Sequence, residues 1–76
     1  MSQTTLRLHE QLGRRLKRRR ELSGLTIPRA AKLSGVAKGY LYGLEMGMYD
    51  NPGLKVLEKL ARFYRCSVGE LLERDP

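Results

Sequence analysis

The sequence predicts an all-α fold of five short helices, and three observations carry that expectation. Leu8, Leu12 and Leu16 recur every four residues, the spacing of one helix face. Stop and start signals follow one another at Gly24, Thr26-Ile27-Pro28, Gly35, Gly47, Asn51-Pro52 and Ser67-Val68-Gly69-Glu70. β-Branched residues are scarce and no stretch alternates cleanly between apolar and polar, so strands are not expected.

The first helix is expected from about Thr5 to Ser23, ending at Gly24, a residue suited to a left-handed C-cap. Thr26 caps a short second helix with Pro28 in its first turn, where a missing N–H does no harm. That helix ends at Gly35. A third helix runs from about Lys38 to Met46 and stops at Gly47. Asn51-Pro52 reads as an N-cap followed by proline at the first helical position, opening a fourth helix through Tyr64. Ser67 to Glu70 matches a capping box and opens a fifth helix through Glu73.

Seventy-six residues make a single domain, residues 1–76, with a thin stability margin. Hydrophobic residues at 41% and charged residues at 30% give a globular balance and argue against disorder. The single cysteine, Cys66, excludes an intramolecular disulfide and a cysteine zinc site; it is expected as a small buried plug. His9 is the only histidine and is expected at the surface. No metal, cofactor or catalytic constellation is expected, since neither a Ser–His–Asp arrangement nor a phosphate-binding glycine loop can be drawn. No apolar run approaches the roughly 20 residues needed to span a bilayer, so no membrane partner is expected and the cytoplasm is the default.

The charge is uneven. Net charge is +7, with ten Lys/Arg against two Glu in residues 1–38 and five Lys/Arg against six Asp/Glu in residues 39–76. A cationic half of this kind suits a polyanion, nucleic acid or an anionic membrane. Arg14, Arg15, Lys17, Arg18, Arg19 and Arg20 form a run with only Glu10 and Glu21 nearby to compensate it. Such a run is either a solvated helix face or a set of phosphate contacts. Arg19 falls on the leucine stripe and must snorkel or find a partner.

The most informative stretch is Leu25 to Gly47, two short helices joined at Gly35, with Ala30 and Ala31 small enough to let them cross closely. It resembles the helix-turn-helix of the Cro/phage-repressor family, also called lambda-repressor-like or XRE. The resemblance spans Leu12 to Leu72 and rests on Leu12-Gly13, Leu16, Arg20, Gly24-Leu25-Thr26, Ala31, Gly35-Val36, Leu41, Leu44-Glu45, Gly47, Pro52, Leu60-Ala61, Cys66-Ser67-Val68 and Leu71-Leu72, in order. It implies a helix-turn-helix over about 27–46, with 27–34 supporting and 37–46 entering the major groove. Ala37, Lys38, Gly39 and Gly43 would occupy base-reading positions, with Tyr42 one turn beyond Lys38. Arg20 and Glu45 match a structural ion pair. Phosphate contacts would come from Arg14, Arg15, Arg18, Arg20, Thr26, Ile27, Lys32 and Tyr40, and from amides at the starts of the second and third helices.

Some positions depart from the pattern. Ile27 stands where a phosphate-binding Gln is usual, Asp50 and Gly53 where basic contacts are frequent, and Arg65 where Gly often ends a helix. Lys38 could read guanine or touch phosphate only. Tyr42 could meet a base, a phosphate or a thymine methyl, or be plain surface. Gly39 and Gly43 allow close approach to DNA, or mark a face that binds nothing tightly. Met46, Met48 and Tyr49 form a partner surface or pack in the core. The expected function is a homodimeric double-stranded DNA-binding regulator, a repressor, without enzymatic activity. Its dimer surface is placed at Arg65 to Val68 and the fifth helix. The competing expectations are an antitoxin-like interaction module on the same fold and a non-specific binder of nucleic acid or anionic membrane.

Overall fold

The structure is a computed structural model that describes residues 8–72, with side chains from residue 10 onward. The expected helix start at Thr5 and the last fifth-helix residue Glu73 lie outside the described residues, as do the side chains of the stripe position Leu8 and the surface position His9. Five helices follow in order: α1 (Leu8–Leu22), α2 (Ile27–Ser34), α3 (Lys38–Glu45), α4 (Leu54–Phe63) and α5 (Val68–Leu72). There is no strand among the described residues.

Each helix contributes to one core. Leu12 and Leu16 of α1, Ala30 and Ala31 of α2, Leu41 and Leu44 of α3, Leu57, Leu60 and Ala61 of α4, and Leu71 of α5 are all buried, together with Val36 of the turn. Fully burying a leucine side chain contributes about 2 kcal/mol, so the six fully buried leucines dominate the stabilising side. The two alanines seat α2 against α3 and α4, as their small volume requires.

The helix ends follow local chemistry. Thr26 Oγ1 accepts from the Arg29 amide at 3.3 Å, capping α2. Ser67 and Glu70 form the reciprocal capping box of α5: the Ser67 amide donates to Glu70 Oε1 at 2.8 Å, and the Glu70 amide donates to Ser67 Oγ at 3.0 Å. Those bonds hold the Glu70 carboxyl below its usual range, the backbone bond foremost. α1, α3 and α4 each end in a paired 6→1 and 5→2 arrangement, for example Leu25 amide to Arg20 carbonyl with Gly24 amide to Glu21 carbonyl. The left-handed residue is Gly24 after α1 and Gly47 after α3, but Arg65 after α4, with φ 58°. A non-glycine residue there costs about 1 kcal/mol.

One boundary differs from expectation. Asn51-Pro52 does not open α4, whose N-cap is Gly53 and whose first residue is Leu54. The Gly53 amide donates instead to Tyr40 Oη at 3.4 Å. A tie to a residue 13 positions away outweighs the local capping preference of Asn51.

Two features fix α3 against α1. Gly13 lies at the helix crossing, where an added Cβ would stand 2.5 Å from the Leu44 carbonyl oxygen and 2.7 Å from that of Glu45. Arg20 then makes a bidentate pair with Glu45, Nε to Oε2 at 2.8 Å and Nη2 to Oε1 at 3.0 Å, and Nη1 donates to the Leu25 carbonyl at 2.8 Å. Hydrogen bonding to Glu45 raises the Arg20 pKa above its ordinary value, against the opposing effect of burial. Tyr64 lies within the field of the same pair. Burial pushes its phenol up to about 12, and its buried hydroxyl has no hydrogen-bond partner among the described residues.

Gly13→Ala should destabilise the fold in thermal unfolding although alanine is the better helix former by about 1 kcal/mol, because backbone oxygens cannot yield as a side chain could. Arg20→Ala should cost about 3 kcal/mol in urea unfolding by stranding Glu45, whereas Arg20→Met combined with Glu45→Leu should recover most of it. Tyr64 holds its proton more tightly folded than unfolded, so that contribution is intact below pH 10.0 and is lost as pH climbs toward about 12. Tyr64→Phe should therefore flatten the alkaline fall in Tm over that window and leave the neutral-pH Tm no lower.

Candidate nucleic-acid interface

α3 has two unlike sides. Leu41, Leu44 and Glu45 point inward, while Lys38, Gly39, Tyr42 and Met46 are exposed. Lys38 and Tyr42 lie one turn apart on the outer side. Ala37 is exposed at the N-cap with φ −58° and ψ 137°, and no side chain caps the helix, so its first-turn amides keep no side-chain acceptor. A helix start of this kind favours an anion through oriented N–H groups and the helix dipole.

The start of α2 offers less. Pro28 has no N–H and the Arg29 amide is taken by Thr26. The Ile27 side chain is half-buried against the core, which leaves its backbone amide as the group that could meet a phosphate. Arg29 and Lys32 are both exposed on α2. Sequence reasoning did not single out Arg29, although its place in the first turn of the supporting helix was the available signal.

Two expected site residues are placed elsewhere. Gly43 is buried rather than on the outer face, and an added Cβ would collide with the Tyr49 ring. Its carbonyl accepts from the Met48 amide at 2.9 Å. Gly43 is thus a socket for the following loop, because Tyr49 folds back over it and packs against Tyr40 with ring centroids 4.7 Å apart and planes tilted by 40°. The second correction is Arg20, expected both in the ion pair and at a phosphate. Its guanidinium is engaged by Glu45 and the Leu25 carbonyl, so the phosphate role is withdrawn.

Tyr40 is half-buried, and its hydroxyl accepts from the Gly53 amide, which fastens the loop to α3. Met46 and Met48 are 55% and 65% exposed, so they are surface rather than core. Asp50 is exposed in the same loop. Cys66 is half-buried, and burial raises its thiol pKa.

The arginine run divides between faces. At roughly 100° per residue, Lys17 lies about 40° and Arg14 about 100° around α1 from Gly13, the residue against α3. Both are exposed and flank the α3 side. Arg15 and Arg18 lie roughly 160° and 140° around from Gly13, on the side turned away from α3. Those two do not share a face with Lys38 and Tyr42. Arg19 is half-buried, as its place beside the leucine stripe requires.

Among the described residues no cluster of His, Cys, Asp and Glu could hold a metal ion, and no helix is long and apolar enough to cross a membrane.

Comparison with known proteins places this geometry in context. A family described as a helix-turn-helix domain matches residues 11–74. The HTH-type transcriptional regulator SinR of Bacillus subtilis (strain 168) is 36% identical over 62 residues, covering 82% of this chain and 56% of the relative. The chain thus spans somewhat over half the length of that regulator. Its fold is similar to that of the N-terminal DNA-binding domain of SinR from Bacillus subtilis, with a TM-score of 0.82, 34% identity, and coverage of 88% of this chain and 97% of that one. The crystal structure of SinR, described as the master regulator for biofilm formation, in complex with DNA superposes with a TM-score of 0.77 at 35% identity, covering 82% and 98% of the two chains. By its matched residues, its five helices and these likenesses, the chain belongs to the helix-turn-helix domain family, of the Cro/repressor type.

Proposed function

We propose that residues 1–76 act as one sequence-specific double-stranded DNA-binding domain of a transcriptional regulator, a repressor, that works in the cytoplasm without catalysis. The observation that carries this reading is the two-sided α3: its inner face is locked by Gly13, Leu41, Leu44 and the Arg20–Glu45 pair, and its outer face offers Lys38, Gly39 and Tyr42 to the solvent. A rigid helix of that kind fits the major groove, about 12 Å wide. The likeness to SinR, a transcriptional regulator also solved with DNA, supports it.

In this reading Lys38 reads a base, Tyr42 supports it one turn on, and Ala37 and Gly39 admit close approach. Phosphates are met by the first-turn amides of α3, by the Ile27 amide and Thr26 at the start of α2, by Lys32, and by Arg14 from α1. Tyr40 holds the loop in place for the same backbone. The domain works as a homodimer on a pseudo-palindromic site with half-sites about one helical turn apart. Pairing runs through Arg65 to Val68 and α5, where Arg65, Gly69 and Glu70 are exposed. A non-specific binder driven by the first helix is less well supported, since Arg15 and Arg18 turn away from α3.

Selection of bound sequences from a random duplex pool tests this reading, and a symmetric consensus is the expected result. On that consensus Lys38→Ala should cost about 1–3 kcal/mol at one base pair and relax preference there. Equal weakening on every duplex would show Lys38 to be a phosphate contact only, and a pool without consensus would remove sequence-specific function.

A further inference from the structure

On the side of α1 turned away from α3, Arg15, Arg18, Arg19 and Leu22 follow i, i+3, i+4, i+7 spacing and so form one stripe. Contact of α3 with a duplex makes no use of that stripe. It runs into a groove of about 440 Å³ between the ends of α1, α2 and α4, walled by Leu22, Leu25, Leu33, Phe63 and Tyr64 with Arg19 and Arg65 at its rims. Leu22 is 76% exposed and Leu33 50%, so two large aliphatic side chains stand in water beside a cationic stripe. Arg18, Arg19 and Arg65 have no ion-pair partner among the described residues. The Tyr64 hydroxyl in the same wall has no partner among the described residues.

We propose that this groove is a docking site for an acidic amphipathic helix of a partner protein, with aliphatic side chains seated against Leu22, Leu33 and Phe63 and carboxylates on Arg18 and Arg19. Charge complementarity selects the occupant: an apolar slot beside guanidinium groups that make no ion pair among the described residues fits a helix that carries leucine-type residues on one face and carboxylates on the other. Duplex DNA would satisfy the arginines but has nothing to fill the apolar wall. A flat bilayer cannot reach into a concave slot. No residue of α3 lines the groove. The site stands whichever sequence α3 reads.

The test uses the isotope-labelled full chain and a synthetic helical peptide with leucines at i, i+3, i+4 and i+7 and glutamates elsewhere. Amide shifts should concentrate at Leu22–Leu25, Leu33 and Phe63–Arg65. Leu22→Gln combined with Leu33→Gln, both at exposed positions, should weaken the peptide at least about tenfold while duplex affinity stays within about twofold. Replacing the peptide's glutamates by glutamine should also weaken it about tenfold. Several results would overturn the proposal. One is equal binding by a scrambled or glutamine peptide, and another is unchanged binding by the double variant. Stronger shifts at the same amides from random duplex or phosphatidylglycerol vesicles would assign the groove to another class of ligand. Concentration-dependent slowing of diffusion that Leu22→Gln abolishes would assign it to a second copy.

Discussion

Taking a carboxylate out of water costs several kcal/mol unless charge and hydrogen bonds replace the lost solvent. Glu45, whose side chain is 2% exposed, meets that demand through one partner, the Arg20 guanidinium. The two N–H groups that face Glu45 set the rotation of α3 about its own axis. The third, on the Leu25 carbonyl, ties the link between α1 and α2 to the same point. Thus α1, the α1–α2 link and α3 are held by one side chain. Gly13 adds the complementary constraint of distance, since the α3 backbone passes where any Cβ would stand. An outward helix face has a defined direction only because the inward face is fixed in both angle and depth.

That arrangement sorts the positive charge of the chain into distinct roles. Arg20 is consumed internally. Arg14 and Lys17 flank the α3 side, and Lys38 heads the exposed helix. Arg15 and Arg18 lie on the side of α1 turned away from α3. A run that reads in sequence as one cationic block is, once coiled, two fields pointing in different directions. Association steered by such a molecule need not engage both fields with the same partner.

How much could be read from the chain alone depended on range. The leucine stripe, Thr26, the Ser67/Glu70 box and the glycines at 24, 35 and 47 act within one turn of themselves, so their consequences were visible locally. The pairing of Arg20 with Glu45, 25 residues apart, was reachable only through resemblance to a family. Where a distant contact overrode a local rule, local reading misled: Asn51-Pro52 looked like a helix start, yet Tyr40 holds Gly53 outside the helix. The same holds for Gly43, which at its helical position beside Gly39 looked outward-facing until Tyr49 folded over it. Tyr40 and Tyr49 are close to both positions in the sequence, but no local pattern shows that their rings pair. The groove was equally silent, because its walls come from three separate helices.

The Gly43 socket also bears on how substitutions in the exposed helix should be interpreted. A side chain there would meet the end of the Tyr49 ring and displace it from its contact with Tyr40, at the base of the loop that runs to Gly53. Lost affinity at position 43 would then look like a lost base contact in any scan of that helix. The cause would lie on the hidden side, in a loop that had come unmoored. Apparent specificity determinants along a recognition helix can thus be architectural, and a probe of the loop itself is what tells the two apart.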